Sequence, residues 1–225
     1  MTSRPNKAEP RPKPRLYLVT PPIEDATAFA VTLAAALEAG DVAAVLLRLA
    51  DADERSLINR AKALSTVVQD RGVALLLDGY VDLVARAGVD GAHVHGLDEF
   101  TAAIGRLKPD WIAGAGQLET RHDAMGVAEG GADYVMFGEP DAAGERPSFE
   151  AVEERIAWWA EVFEAPCVGY AANVEEVAAL VKAGADFIAI GGSFGDWVWS
   201  DPQTTAATIA DAARLLHLAM PENAA

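Results

Sequence analysis

Apolar, β-branched runs of five to seven residues alternate along this chain with longer stretches whose apolar residues recur at i, i+3 and i+4. The short runs read as buried parallel strands and the longer ones as amphipathic helices. Strands are expected at 15–20, 43–48, 72–78, 91–95, 110–115, 134–138, 166–171 and 187–191. Helices are expected near 25–38, 54–70, 80–87, 97–106, 120–129, 148–163 and 173–183, with a last one from about Pro202 to Leu218. Four of the helix-to-strand joints repeat a phrase in which Gly, then an acidic step, leads into a strand. The glycines are Gly40, Gly88, Gly131 and Gly184, spaced by 48, 43 and 53 residues. Glycine just after a helix suits a left-handed cap, so all four are expected to close helices in that way. Eight strands alternating with eight helices predict an α/β fold, a single (β/α)8 TIM barrel over 15–220. A doubly wound open sheet fits less well, because its first turn is glycine-rich and VTPPIED has no glycine.

Composition narrows the partners. The chain has 225 residues, 51% of them hydrophobic, enough for one large α/β core. Residues 1–14 are rich in Pro and basic residues and are expected to form a disordered tail. No apolar run reaches the roughly 20 residues of a membrane helix, and no signal-peptide pattern opens the chain. Cys167 is the single cysteine, which points to a reducing, cytoplasmic setting. A net charge of −16 argues against nucleic acid and anionic membranes as partners. An anionic ligand would then need placed arginines, backbone amides or a metal ion to offset the global field.

In a barrel, function sits on the loops at the C-terminal strand ends. Arg48 ends the second strand, where its guanidinium can fork onto phosphate or carboxylate, or pair with Asp78. Asp78 ends the third strand and Asp98 follows the fourth. Together they could share Mg²⁺, or each could cap the helix that follows it. Gly191, Gly192 and Ser193, within IGGSFG, present backbone amides where barrels often bind phosphate, or form a tight turn. His93 and His95 alternate on one strand and so face one side. They could be a metal pair, although no Cys and no H-x-x-x-H pattern supports zinc, and a packed or hydrogen-bonded histidine is the favoured reading for at least one. Trp197 and Trp199 read as packing at the rim.

RLYLVT, LLR, LLLDGYVDLVARAGVDGAHVHGLD, GGADYVMFG, KAGADFIAIGG and SDP, taken in order, resemble the thiamine phosphate synthase/TenI family over roughly 15–215. The resemblance implies a (β/α)8 barrel using Mg²⁺ to join an aminopyrimidine diphosphate to a thiazole phosphate. It implies roles for Arg48 on the diphosphate and for Asp78 and Asp98 on the metal, with His93 as the family's fourth-strand His. It also exposes departures. Leu46 and Ala50 stand where the family has Gln and Lys, and Leu77 where it has Asn. Gln117 and Glu119 fall where a Ser and, in the tautomerase branch, a His are expected. The sixth loop, GEPDAAGERPS, has no lysine, leaving Arg146 as a phosphate-binding substitute, with Arg121 a weaker one. Gly191 and Gly192 replace Val-Ser. The resemblance therefore implies a synthase with catalytic motifs partly lost, taking small phosphate ligands, with homo-oligomers possible. The alternatives are a TenI-like paralogue that binds a phosphate ligand without turnover, and a thiazole tautomerase-like isomerase.

Overall fold

The computed structural model describes residues 12–141, 143–192 and 197–220. The strands are β1 (Arg15–Val19), β2 (Val42–Leu47), β3 (Ala74–Asp78), β4 (Gly91–His95), β5 (Ile112–Gly116), β6 (Tyr134–Phe137), β7 (Cys167–Tyr170) and β8 (Phe187–Gly191). The helices between and after them are α1 (Ala26–Ala39), α2 (Glu54–Gln69), α3 (Val84–Ala87), α4 (Gly96–Leu107), α5 (Arg121–Glu129), α6 (Phe149–Val162), α7 (Val174–Ala183) and α8 (Pro202–Ala219). All strand pairs are parallel, in sequential order, and β1 meets β8 from Arg15↔Phe187 to Val19↔Gly191, so the sheet closes into a barrel. The expected tail lies mostly outside the described residues, as does Ser193.

Side chains alternate across the sheet, as the strand period requires. Leu16, Leu18, Val45, Leu47, Leu75 and Leu77 point outward into the layer shared with the helices. Tyr17, Val19, Leu46, Leu76, Met136, Val168, Tyr170 and Ala189 point inward and fill the barrel. Gly114 has no Cβ because the Tyr134 ring occupies that space.

The acidic step after the helices has a structural job at the N-terminal end of the barrel. Asp90, Asp133 and Asp186 each clamp the first or second residue of a strand from both sides. Asp90 N–H donates to the Leu75 carbonyl, and its carboxylate accepts from Leu75 N–H at 2.7 Å. Asp133 treats Ala113 in the same way, and Asp186 treats Cys167. Each clamp satisfies a backbone N–H that the ladder leaves open at a buried strand end. Gly88, Gly131 and Gly184 have φ of 69°, 94° and 100°, the expected left-handed closures. Gly40 departs from that expectation: its backbone is extended, φ −158°. Its requirement is space, since a Cβ there would lie 3.1 Å from Ile209 and 3.2 Å from Ala213 of α8.

Candidate functional site

The C-terminal strand ends converge on a cleft of about 160 Å³ lined by Arg48, Asp78, His95, Gln117, Glu139 and Tyr170, among others. β2 delivers Arg48, whose backbone N–H is held at 3.0 Å by the buried Thr20 hydroxyl. Its Nε lies 3.2 Å from Asp78 Oδ2, so the ion pair weighed from the sequence is present. Gln117, at φ 50°, donates from Nε2 to the Pro140 carbonyl and ties the β5 and β6 loops together.

Below the cleft is a chain of polar groups inside the barrel. The Tyr17 and Tyr134 hydroxyls are 2.8 Å apart, and Tyr134 Oη is 2.9 Å from His93 Nδ1. His93 Nε2 is 3.2 Å from Glu139 Oε2. His95, two residues along the same strand, places Nε2 3.6 Å from Glu139 Oε1 and 3.1 Å from Asp78 Oδ1. The His95 Nε2 and Asp78 Oδ1 atoms are buried and meet as an ion pair, without the geometry of a regular hydrogen bond. Glycine at position 116 gives this cluster its room. A Cβ there would overlap Glu139 Oε2 and lie 2.7 Å from His93 Nε2.

Burial disfavours charge on both His95 and Glu139, and their neighbours reverse the effect. Burial pulls the His95 imidazole down, but the Asp78 and Glu139 carboxylates hold it up at about 10. Burial pushes the Glu139 carboxyl up, and His93 and His95 outweigh it, drawing it to about 2. Tyr17 and Tyr134 are raised, chiefly by burial, and stay protonated donors.

The other expected site residues fall in different places. Asp98 is exposed in the first turn of α4 and lines none of the clefts at the mouth among the described residues. It is not the helix cap weighed from the sequence: the helix follows His95, whose backbone N–H is taken by Glu99. Arg146 spends its guanidinium on both oxygens of Glu176, at 2.9 Å each, and on the Tyr170 carbonyl. It therefore braces the β6 loop against α7. Glu119 is exposed at the edge of a neighbouring cleft of about 290 Å³. Gly191 and Gly192 take φ of 104° and 59°, with the Tyr170 hydroxyl donating to the Gly191 carbonyl. Trp199 donates to the Val19 carbonyl at 2.7 Å and packs on Phe29, as expected of rim packing.

Magnesium prefers oxygen donors and keeps several waters. The buried Asp78 Oδ1, without a hydrogen bond, is such a donor, and the exposed Asp98 carboxylate is a second. Asp78 fits the ion the resemblance implies, whereas Asp98 stands outside the clefts that Asp78 lines. Sequence reading did not single out Tyr17 or Tyr134, and it gave Gly116 no role beyond its place at a strand end. The available signals were two tyrosines at inward strand positions and a glycine inside a strand, where none is needed for a turn.

Fold and mouth together define the class: a (β/α)8 protein working from its strand C-termini, with arginine and carboxylates around a small cleft. Residues 16–194 match the family model for thiamine monophosphate synthase, and the chain belongs to that family. It is 44% identical over 206 residues to the thiamine-phosphate synthase of Rhodospirillum centenum, covering 90% of this chain and 98% of that protein. It is 39% identical over 204 residues to the thiamine-phosphate synthase of Hyphomonas neptunium, covering 86% and 90%. Among solved structures, thiamine phosphate pyrophosphorylase from Pyrococcus furiosus superposes with a TM-score of 0.74 over 93% of this chain and 98% of that one. At 20% identity that likeness concerns the fold.

Proposed function

We propose that the protein is a thiamine-phosphate synthase, joining an aminopyrimidine diphosphate to a thiazole phosphate. The observation that carries this reading is the Arg48–Asp78 pair at the mouth, the two residues to which the resemblance gives the diphosphate and the metal. The bond from the pyrimidine methylene carbon to the diphosphate oxygen breaks, and its electron pair leaves with pyrophosphate. The pyrimidine stabilises the resulting cation, and the thiazole nitrogen lone pair forms the new carbon–nitrogen bond. Such a reaction asks chiefly for positioning and charge stabilisation.

Arg48 holds the leaving diphosphate. Gly191 and Gly192 are the candidates for the thiazole phosphate, and Gln117 borders the space between. Asp78 and Asp98 would hold Mg²⁺, which when bound offsets diphosphate charge. Arg146 serves a phosphate if it leaves Glu176. The ligands are then small phosphorylated molecules and the setting cytoplasmic. In keeping with this, no helix among the described residues is long and apolar enough to cross a membrane.

Product formation from the two substrates with Mg²⁺ is expected, and Asp78→Ala should abolish it. Arg48→Met should lower kcat/KM by about 10- to 150-fold, the worth of one charge-assisted contact. Absence of turnover above background would sink the proposal. The bracing of Arg146 by Glu176 favours a second reading, a paralogue that binds phosphate without turnover. Calorimetry showing pyrophosphate binding by a protein that forms no product would select it.

A further inference from the structure

The polar cluster under the mouth is built differently from an ordinary buried ion pair. Buried pairs persist when every lone pair and proton finds a partner, because an unsatisfied buried group costs about 1–3 kcal/mol. Here His95 Nε2 and Asp78 Oδ1 are held as an ion pair at 3.1 Å that falls short of a regular hydrogen bond. One ligand atom from each of His93, His95 and Glu139 lies within 4.8 Å of the others. We propose that His93, His95 and Glu139 form a binding site for a divalent transition-metal ion of the zinc, cobalt or manganese class, adjoining the Asp78 carboxylate.

Three features of the geometry support the site. Bonds of about 2.0–2.1 Å to one ion set neighbouring ligand atoms roughly 3.0–3.4 Å apart, for octahedral and tetrahedral arrangements respectively. Glu139 approaches His93 through Oε2 at 3.2 Å and His95 through Oε1 at 3.6 Å, near those spacings, so one of its oxygens must turn toward both imidazoles to share an ion. Second, the other ring nitrogen of His93 is held by Tyr134, itself held by Tyr17. Outer partners of this kind fix the orientation of a metal-binding imidazole. Third, Gly116 sits in a regular strand with no positive φ, so its missing side chain serves space, and the space adjoins Glu139 Oε2 and His93 Nε2. The two imidazoles are borderline donors that favour transition ions over Mg²⁺, and the carboxylate serves either.

The site rests on side-chain geometry alone and does not depend on the synthase reading, so it is tested without substrates. The chelator-treated full chain is titrated with Co²⁺ while visible d–d absorption is recorded. The expected result is one equivalent bound, displaced by Zn²⁺ and retained in millimolar Mg²⁺. His95→Ala and Glu139→Gln should each remove binding at stoichiometric concentrations. Tyr134→Phe should weaken it about 10- to 100-fold, and Asp98→Asn should leave it unchanged. Circular dichroism establishes that each variant is folded. If Glu139→Gln does not fold, His95→Asn takes its place in the comparison. Absence of a Co²⁺ spectrum, an equal spectrum in the folded His95 variant, or displacement by Mg²⁺ would overturn the site and leave a proton-bridged cluster.

Discussion

Single residues at the mouth are constrained by what their neighbours leave open. Gly191 combines φ of 104° with a position where a Cβ would strike the Val19 carbonyl and Trp199. Gly191→Ala is therefore expected to cost about 1–3 kcal/mol from backbone conformation alone, with the overlap adding to it. Urea unfolding measures this, and an unchanged midpoint would refute the account. Arg48 and Asp78 were legible in the sequence because each ends a strand and so must reach the mouth. Glu139 was legible as a strand-end residue, but its contact with His93 was not. The glutamate lies 46 residues from the imidazole it touches, and no local periodicity encodes that meeting. The role of Gly116 was hidden for a related reason, since a strand glycine reveals its purpose when the opposing side chains are in place.

At the scale of elements, the Gly-acid phrase made the fold legible because it marks each N-terminal strand end. Three of its acids, Asp90, Asp133 and Asp186, are the clamps described above, and the fourth, Asp41, instead pairs with Arg15 at 2.8 Å. Asp186→Ala leaves the Cys167 N–H without its acceptor in a largely buried strand end, and should destabilise by about 1–3 kcal/mol. A loss within error of zero in thermal or urea unfolding would mean that water replaces the carboxylate. The misread glycine, Gly40, shows where a sequence signal stops: the same helix-Gly pattern answers either a backbone need or a packing need. The helix caps carry a pH signature. Asp53, Asp123 and Asp201 are lowered first by the side-chain bonds they make to Ser56, Thr120 and Thr204. A lowered carboxyl contributes stability that is present above its unfolded pKa and lost as pH falls through the folded one. Stability should therefore drop below about pH 4. The triple Asp→Asn variant should show a shallower drop, and equal slopes would remove the caps as its source.

For the whole molecule, the net charge of −16 opposes any anionic substrate that approaches the mouth. Salt screens such repulsion, with a Debye length near 30 Å at about 0.01 M and near 8 Å at about 0.15 M. If the proposed reaction is correct, kcat/KM should rise over that range at constant free Mg²⁺. A fall would mean that local attraction at Arg48 outweighs the global field.

The aspartate clamps bear on how this barrel can change. They lie at the N-terminal end of the strands and the histidine–glutamate cluster lies toward the other; along β4, His93 and His95 stand about 10 and 17 Å from Asp90. The floor of the barrel is secured without help from any mouth residue, so the mouth is an interchangeable fitting on a fixed socket. A lysine-bearing loop grafted over 138–147 would need new partners for Gln117, Glu176 and the two imidazoles, and nothing from Asp90, Asp133 or Asp186. In that sense the chain keeps the means of exchanging one ligand set for another while its frame stays the same.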